Sequence, residues 1–424
     1  MAEQERVFAK CAWRLIPFMM LLFIVAFIDR TNVGFAALTM NRDLGFSPSV
    51  FGLGAGIFFL GYVTFQIPAT VLLERIGARR VVCCIMLVWG TISASNAFVQ
   101  GPTSFYVLRF LLGAAEAGFT PCMIFYLTLW FPQAYRGRFI ATFCGAIPLA
   151  GIIGGPLSGL ILDMDGIGGF HGWQWLFLIQ AAPALLLALV VLKILPDNPV
   201  QATWLNEAEK NVIAASLATG VLMEDRSLWQ ALRDPRVIAL GLSGFCPGCA
   251  LYGTALWLPQ IIHAMGFSNR TTGFVSALPY VASMGAMIFW ARRSDRSGER
   301  IWHTILTMLL AAAAFVGASL TQNHMLTLLA LTLAMVGGLA GIGPFQSFLS
   351  SFFRGAAAAG AIALVNTIGA LGGFSGPLLI GLLKTQSGNY ATGMAALALA
   401  QALAALIVFS VGRAMAPHPA RRAS

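Results

Sequence analysis

The chain has 424 residues, of which 58% are hydrophobic and only 10% are charged, and its net charge is +10. A soluble globular protein is about one quarter charged, so a chain this apolar cannot hide its side chains in one or two soluble cores. It is expected to cross a membrane several times.

Apolar runs of about twenty residues recur along the chain, and each is long enough to cross a bilayer as a helix. No small-residue cleavage site closes the first run, so we interpret it as a spanning helix and not as a cleaved signal. The runs predict an all-α membrane protein with twelve transmembrane helices, at residues 15–40, 49–73, 81–99, 104–130, 139–162, 174–194, 237–262, 272–291, 302–321, 326–352, 358–383 and 392–412.

The basic residues indicate how the chain is oriented. Alternate connections between the runs hold 21 Lys and Arg residues on one side and only 3 on the other. Because positively charged connections stay in the cytoplasm, both termini and the long central segment are predicted to be cytoplasmic. Topology thus explains the net charge, and no nucleic-acid partner is expected. The predicted organisation is a cytoplasmic N-terminus (1–14), a six-helix bundle (15–194), a cytoplasmic loop with a short amphipathic surface helix (195–236), a second six-helix bundle (237–412) and a cytoplasmic tail (413–424).

The two predicted bundles repeat each other. The loop motif ERIGARR at 74–80 reappears as DRSGERI at 295–301, with an offset of 221 residues. Repeated halves joined by a cytoplasmic loop are typical of transporters whose site lies between the halves. The two motifs are predicted to form conformational latches between helix ends on the cytoplasmic side, through Glu74, Arg75, Gly77, Asp295, Arg296 and Gly298.

Only four charged residues fall well inside the predicted spans: Asp29, Arg30, Arg109 and Glu116. Facing lipid, each would cost roughly 2.5–3.5 kcal/mol, so they are expected to face a wet cavity or one another. Arg109 and Glu116 share a helix face about 10 Å apart, too far for a direct bond but suited to bracketing a third group. Asp29 and Arg30 diverge by about 100° around their helix, so one can reach the cavity while the other braces a neighbouring helix.

These four charges allow two interpretations. They are structural ion pairs that hold helices together, or they bind the transported species, which is the default for ionisable groups inside a membrane. Desolvation favours the neutral form of a carboxylate, which can then take up and release a proton. An arginine can hold a carboxylate through two parallel hydrogen bonds. Two carboxylates with two arginines therefore suit the coupling of a proton to an organic anion.

The second bundle contributes no charge to the membrane, and its candidate substrate-facing residues are neutral. Each of them is alternatively a buried packing residue with a satisfied partner. The candidates are Tyr252, Trp257, Gln346 and Asn366. The segment GIIGGPLSG at 151–159 is interpreted as a helix-packing motif, although it partly resembles the glycine motif of proton antiporters.

Several motifs together carry a family resemblance. FIDRTNVGFAAL, LRFLLGAAEAGFTP, GPF at 343–345 and GAIALVNTIGALGGFSGP resemble the anion:cation symporter family of the major facilitator superfamily, in particular its bacterial tartrate, 4-hydroxyphenylacetate and phthalate permeases. The resemblance implies proton-coupled uptake of a small organic anion by alternating access, in the bacterial inner membrane. By position it implies that Glu116 and Asp29 carry protons and that Arg30 holds the substrate carboxylate. It further implies that Arg109 is the partner of the helix-four glutamate, and that Tyr62 and Asn366 are polar cavity residues.

Three positions depart from this family pattern. Gln66 stands where the group often has Glu, which leaves the proton stoichiometry open. Gln346 replaces the aromatic residue that usually follows GPF, and Ala370 replaces a second Asn. Both changes reshape the pocket, so the solute is not identified.

The favoured function is a proton-coupled importer of a small carboxylate, working as a monomer in the lipid bilayer, with protons as the coupling ion and with no cofactor or metal. The alternative is a proton antiporter that exports a drug or metabolite on the same fold. An enzyme is not expected, because the sequence has no nucleophile–base pair, metal-spaced histidine cluster or phosphate loop.

Overall fold

The computed structural model describes residues 2–132, 135, 142–143, 145–218, 234–352 and 358–415. These residues contain fifteen α-helices and no strand. The helices are α1 (Ala2–Asp43), α2 (Pro48–Ile76), α3 (Ala78–Ser95), α4 (Pro102–Glu116), α5 (Phe119–Trp130), α6 (Ala146–Leu162), α7 (Gly172–Ile194), α8 (Glu207–Ala218), α9 (Pro235–His263), α10 (Asn269–Ser297), α11 (Ile301–Leu320), α12 (His324–Ala340), α13 (Ile342–Phe352), α14 (Ala358–Ser387) and α15 (Ala391–Met415).

The helices follow the predicted spans. Eleven helical stretches in the described part of the chain are long and apolar enough to cross a membrane, and α6 is a shorter apolar helix at the position of the predicted fifth span. Residues 139–141 and 144 of that span lie outside the described residues. Helices α4 and α5 together form the fourth span, and α12 with α13 forms the tenth. The all-α fold with twelve spanning segments is thus confirmed.

Large apolar side chains cover the outward faces of these helices. Leu186 on α7 is 65% exposed, Leu329 on α12 is 55% exposed, and Leu399 on α15 is 73% exposed. Monomeric soluble proteins rarely expose contiguous apolar patches of this kind, whereas a bilayer solvates them. The outward faces therefore fit contact with lipid acyl chains.

The described residues fall into two compact units. Unit 1 holds those within Met1–Leu222 and Ala255–Leu278, and unit 2 holds those within Met223–Thr254 and Pro279–Ser424. In unit 1, α2 packs on α4, α3 packs on α7, and α1 contacts α6 and α7. In unit 2, α11 packs on α12 and α15, around a core that includes Leu349, Val365 and Val408. The predicted boundaries of the bundles, loop and tail stay a prediction.

Within unit 1, α2 and α4 cross so closely that no side chain separates their backbones. A Cβ atom added at Gly113 of α4 would lie 1.8 Å from the carbonyl oxygen of Phe58, and one added at Gly61 of α2 would lie 2.1 Å from that of Phe110. Only glycine leaves room for this approach. The crossing fixes α2 against the face of α4 that carries its charged residues.

This crossing predicts that a Gly→Ala substitution in α4 lowers the stability of the protein, which is the reverse of its usual effect in a helix. Gly→Ala inside a helix ordinarily stabilises by about 0.5–1 kcal/mol. Gly113→Ala is instead expected to lower the Tm of the purified protein, because overpacking costs about 1–3 kcal/mol. Gly338→Ala is the matched control, since nothing lies within 4 Å of its added Cβ. Equal Tm changes in the two variants, measured by thermal unfolding in detergent, would contradict the close crossing.

The predicted helix of the central loop is present as α8 and packs on α1. The N-terminus of α8 is capped by two reciprocal hydrogen bonds. Asn206 Oδ1 accepts one of 2.8 Å from the Glu209 backbone N–H, and Glu209 Oε2 accepts one of 2.9 Å from the Asn206 backbone N–H. The Lys10 ammonium of α1 donates to Glu209 at 2.8 Å, and this hydrogen bond holds the pKa of Glu209 below its ordinary value. Gln4 donates to Ser216 at 2.6 Å. Helix α8 is thus docked on the first turns of α1.

Candidate functional site

The four charged residues predicted inside the spans lie together in unit 1, and we call them the charged cluster. Asp29 and Arg30 lie on α1, and Arg109 and Glu116 on α4. Asp29, Arg109 and Glu116 are completely buried, and Arg30 is 7% exposed. Shielding from lipid agrees with the cost of placing a charge in hydrocarbon. Arg30 is the one member of the cluster with any residual access.

The centre of the cluster is an ion pair between α1 and α4. The Arg30 Nη2 donates to Glu116 Oε1 at 2.6 Å. The family resemblance implies Arg109 as the partner of Glu116, whereas the hydrogen-bonded partner among the described residues is Arg30. Because Arg109 and Glu116 are two turns apart on one helix, Arg30 from another helix can reach the carboxylate and Arg109 cannot. Arg30 thus contacts Glu116 on the face of α4 that also carries Arg109.

Asp29 points away from this pair, as the divergence around the helix predicts. Its Oδ1 accepts hydrogen bonds from Ser93 of α3 and, at 3.2 Å, from the Asn32 side-chain amide. Ser93 is 1% exposed and Asn32 is 2% exposed, so all three side chains are buried. Asp29 therefore braces α1 against α3, while Arg30 contacts α4.

Two aromatic rings of α2 lie beside the guanidinium groups. The Arg30 Cζ lies 5.3 Å from the Phe58 ring centroid and 5.2 Å from that of Tyr62, and the Arg109 Cζ lies 5.1 Å from that of Phe58. A ring face attracts a cation by about 0.5–2 kcal/mol, more when both are desolvated. Phe58 thus offsets part of the cost of burying two like charges near each other. The close crossing of α2 and α4 holds this ring in place.

Several polar atoms of the cluster have unused hydrogen-bonding capacity. Arg109 donates to the Ala55 carbonyl through Nη2 at 3.5 Å, a long contact. In the described part of the chain, no hydrogen-bond partner is present for Arg109 Nε and Nη1, Asp29 Oδ2 or Glu116 Oε2. Buried polar groups are normally satisfied, and exceptions concentrate at functional sites. The cluster can therefore accept protons on carboxylate oxygens and donate N–H groups to a bound anion.

The neutral candidates are placed in two different ways. In unit 2, the Gln346 side-chain amide donates to Asn366 Oδ1 at 3.0 Å, and Tyr252 is partly buried. In unit 1, Trp257 is completely buried and packs edge-on against Phe51, with ring centroids 4.9 Å apart. Trp257 is a packing residue in this conformation. The substrate roles of Gln346, Asn366, Tyr252, Trp257 and Tyr62 stay predictions.

The predicted latches are only partly within the described side chains. Gly77 and Gly298 both adopt left-handed backbone conformations, with φ of 90° and 67°. Asp295 pairs with Arg300 at 2.7 Å, and Arg296 is exposed. The side chains of Glu74 and Arg75 lie outside the described residues. The latch role of these motifs stays a prediction.

The glycine segment of α6 makes a backbone contact, as interpreted from the sequence. A Cβ atom added at Gly155 would lie 2.7 Å from the Gly273 carbonyl oxygen of α10, within unit 1. Pro156 lies inside the helix without ending it. Close helix packing therefore accounts for this segment.

Some residues of the site were not recognised from the sequence. Ser93, Asn32 and Phe58 contact the charged cluster, and Ser93 and Phe58 stand in apolar runs with no neighbouring charge. The spacing of Asn32 three residues after Asp29 is the one signal that could have indicated a contact. Among the described residues, no group of three or more His, Cys, Asp or Glu side chains could hold a metal ion.

Comparisons with known proteins give relatives along almost the whole chain. A protein of Agrobacterium vitis, provisionally named as a tartrate transporter, is 46% identical over 411 residues that cover 96% of this chain and 92% of the relative. A quinolone resistance transporter of Acinetobacter baumannii is 38% identical, covering 96% of this chain and 95% of the relative. The chain is thus related to transporters.

A solved structure has the same fold at low sequence identity. The bacterial homolog of the human lysosomal transporter Spinster, in an inward-facing and occupied conformation, superposes with a TM-score of 0.77 at 16% identity, covering 94% of this chain and 96% of that chain. The family model described as Major Facilitator Superfamily matches residues 19–377. With its twelve spans and buried intramembrane charges, the chain belongs to the major facilitator superfamily of multi-pass membrane transporters.

Proposed function

We propose that the protein is a secondary active transporter that takes up a small organic acid anion together with protons, by alternating access. In this proposal it lies in the bacterial inner membrane with both termini in the cytoplasm, as the distribution of basic residues favours. The single observation that carries the proposal is the buried ion pair between Arg30 and Glu116. Each member of this pair has the chemistry needed for one of the two transported species.

The pair supplies a way to couple proton and anion. While Glu116 is ionised, it competes with any other carboxylate for the Arg30 guanidinium. When Glu116 takes up a proton, its attraction for Arg30 falls, and the guanidinium can form two parallel hydrogen bonds with a substrate carboxylate. Binding of the proton and binding of the anion therefore favour each other.

Charge balance supports the same coupling. With two carboxylates and two guanidinium groups ionised, the charged cluster has no net formal charge. One proton and one carboxylate added together leave it neutral, whereas either alone leaves a buried net charge, which is costly in a membrane. A second carboxylate on the substrate would need a second proton, for which Asp29 is the candidate.

The exposed fractions of the side chains and the available N–H groups of Arg109 suggest which residue binds the anion first and which binds it second. Arg30 and Tyr62 are 7% and 9% exposed, and the other three members of the cluster are completely buried. We therefore propose Arg30 as the residue that first holds the anion, with Tyr62 beside it. Arg109, with buried N–H groups to offer, is proposed as the second donor. Gln346 and Asn366 stay candidate neutral substrate contacts.

The substrate class is proposed from the relative named for tartrate, which is a small hydroxy-dicarboxylate. A thermal-shift screen of hydroxy acids, aromatic acids and sugar acids identifies binders, because a ligand that binds the native state raises its stability. Tartrate is the first compound to measure. A raised Tm with at least one carboxylate, and with none of the matching uncharged alcohols, is the expected result.

The direction of proton movement tests the mechanism. Adding the identified anion to lightly buffered, de-energised cells that contain the transporter is expected to raise the external pH, because protons enter with the solute. A proton ionophore should abolish the pH change. No pH change with measurable uptake would contradict proton coupling, and a fall in external pH would contradict symport.

The alternative is export of a drug or metabolite in exchange for protons. The relative named for quinolone resistance favours it, at 38% identity over nearly the same length. Exchange predicts the opposite sign in the pH measurement, and it predicts lower drug accumulation in energised cells that carry the protein. The two guanidinium groups of the cluster favour an anionic solute and hence the first proposal.

A further inference from the structure

A second candidate binding site lies in unit 2, where α10 ends and α11 begins. The two helices enclose a cavity of about 870 Å³. Its lining includes Arg292, Arg293 and Arg296 at the end of α10 and Ile288 and Phe289 about one turn deeper. The proposed binding of proton and anion does not use this cavity, although Arg296 also belongs to a predicted latch motif.

The mouth of the cavity is strongly basic. Residues 292 and 296 are four apart on α10, and 293 and 296 are three apart, so the three arginines share one helix face. All three are exposed. Like charges at these spacings repel each other, so the helix end is more stable when an anion lies between them.

The carboxylates near this mouth are engaged elsewhere. Asp295 accepts a 2.7 Å hydrogen bond from Arg300. Glu299 Oε2 accepts the backbone N–H of Trp302 at 2.7 Å at the start of α11. Among the described residues, no ion pair joins a carboxylate to Arg292, Arg293 or Arg296.

The deeper wall of the cavity is apolar and open. Ile288, Phe289 and Leu306 are 47%, 62% and 49% exposed. They belong to helical stretches that are apolar enough to cross a membrane, where acyl chains would solvate them. Trp290 fixes the junction: its Nε1 donates to the His303 carbonyl at 3.1 Å. Tryptophan is enriched at the level of lipid headgroups.

From this arrangement we propose that the cavity binds an anionic phospholipid. The phosphodiester would lie among the three arginines, which can bind its oxygens through forked hydrogen bonds. One acyl chain would run along Ile288, Phe289 and Leu306. A soluble anion would use the basic mouth but leave this apolar wall unused. Basic pockets between spanning helices are a known form of lipid headgroup site.

The test counts lipids that stay bound to the full-length protein in native mass spectrometry. The wild-type protein is expected to retain phosphatidylglycerol in preference to phosphatidylcholine of the same acyl chains. Arg292→Gln/Arg293→Gln/Arg296→Gln is expected to weaken retention of phosphatidylglycerol on the order of a hundredfold, since each arginine near the surface contributes about fivefold. Arg296→Gln alone should weaken it about fivefold, and it keeps the test decisive if the triple variant does not fold.

The matched control is Arg42→Gln/Arg270→Gln/Arg413→Gln, which removes the same charge from exposed helix-end positions elsewhere. It should retain phosphatidylglycerol as the wild type does. Equal retention of the two lipids by the wild type, unchanged retention in the triple variant, or equal loss in the control would overturn the proposal. So would displacement of phosphatidylglycerol by millimolar inorganic phosphate, because a site for the free anion needs no acyl chain.

Discussion

Glu116→Gln is expected to abolish uphill uptake of the substrate driven by a pH gradient, while exchange of labelled for unlabelled substrate across the membrane continues. Glutamine keeps the Oε1 acceptor that Arg30 contacts at 2.6 Å in the wild type, so the cluster can retain its geometry. It cannot change charge, so proton binding no longer controls the release of Arg30. Accumulation in energised cells should fall to the level of cells without the transporter, and counterflow in proteoliposomes should persist.

The control for this variant is Glu207→Gln. The Glu207 side chain is 84% exposed and forms a surface ion pair with Lys210, so its loss should leave accumulation unchanged. If Glu116→Gln cells accumulate substrate to the wild-type level under the same gradient, Glu116 is not the main proton carrier. Asp29→Asn then becomes the next variant to measure.

Arg30→Ala is expected to remove measurable substrate binding. Losing one partner of a buried, hydrogen-bonded charge pair costs about 2–5 kcal/mol, which is roughly 30-fold to several thousandfold in Kd. The same variant leaves Glu116 buried without its partner, so the protein should also lose about 3–5 kcal/mol of stability unless that carboxylate takes up a proton. Isothermal titration with the identified anion and a Tm measurement on the same sample test both effects.

A double variant separates binding from folding. Arg30→Ala/Glu116→Gln removes the uncompensated carboxylate, so its Tm should recover towards the wild type while binding stays lost. Arg42→Ala is the control, since this side chain is 82% exposed at the end of α1. An unchanged Kd in Arg30→Ala would refute the role of Arg30, and a double variant as unstable as Arg30→Ala would refute the origin of the stability loss.

The fold could be predicted from the sequence because a bilayer strongly limits the backbone structures that can cross it. Runs of about twenty apolar residues must be helices in lipid, since every backbone polar group needs an internal partner there. The four intramembrane charges were identified for the same reason, because hydrocarbon penalises each of them. Burial of Asp29, Arg30, Arg109 and Glu116 follows from that penalty alone.

The pairing of residues inside the charged cluster was harder to predict from the sequence. Spacing along one helix gives distances within that helix, and it correctly excludes a direct bond between Arg109 and Glu116. Spacing does not indicate which residue of another helix contacts Glu116. Arg30, which does so, is 86 positions away in the sequence. Ser93 and Phe58 were missed because a serine or phenylalanine in an apolar run has no distinctive pattern. Trp257 was a candidate either for substrate contact or for buried packing, and its contact with Phe51 depends on tertiary packing that spacing along one helix does not give.

Backbone contact at Gly113 also determines how the neighbourhood of the cluster can deform. Sliding or rolling of α4 on α2 would drive peptide groups into each other, because no compressible side chain lies between Gly113 and the carbonyl of Phe58. Helices α2 and α4 therefore move as one rigid body, and the Phe58 ring moves together with Arg109. Arg30 lies on α1, outside this rigid body, and its side chain has several rotatable bonds. Under the proposed function, Arg30 can exchange Glu116 for a substrate carboxylate by a rotamer change that needs no movement of α4 on α2.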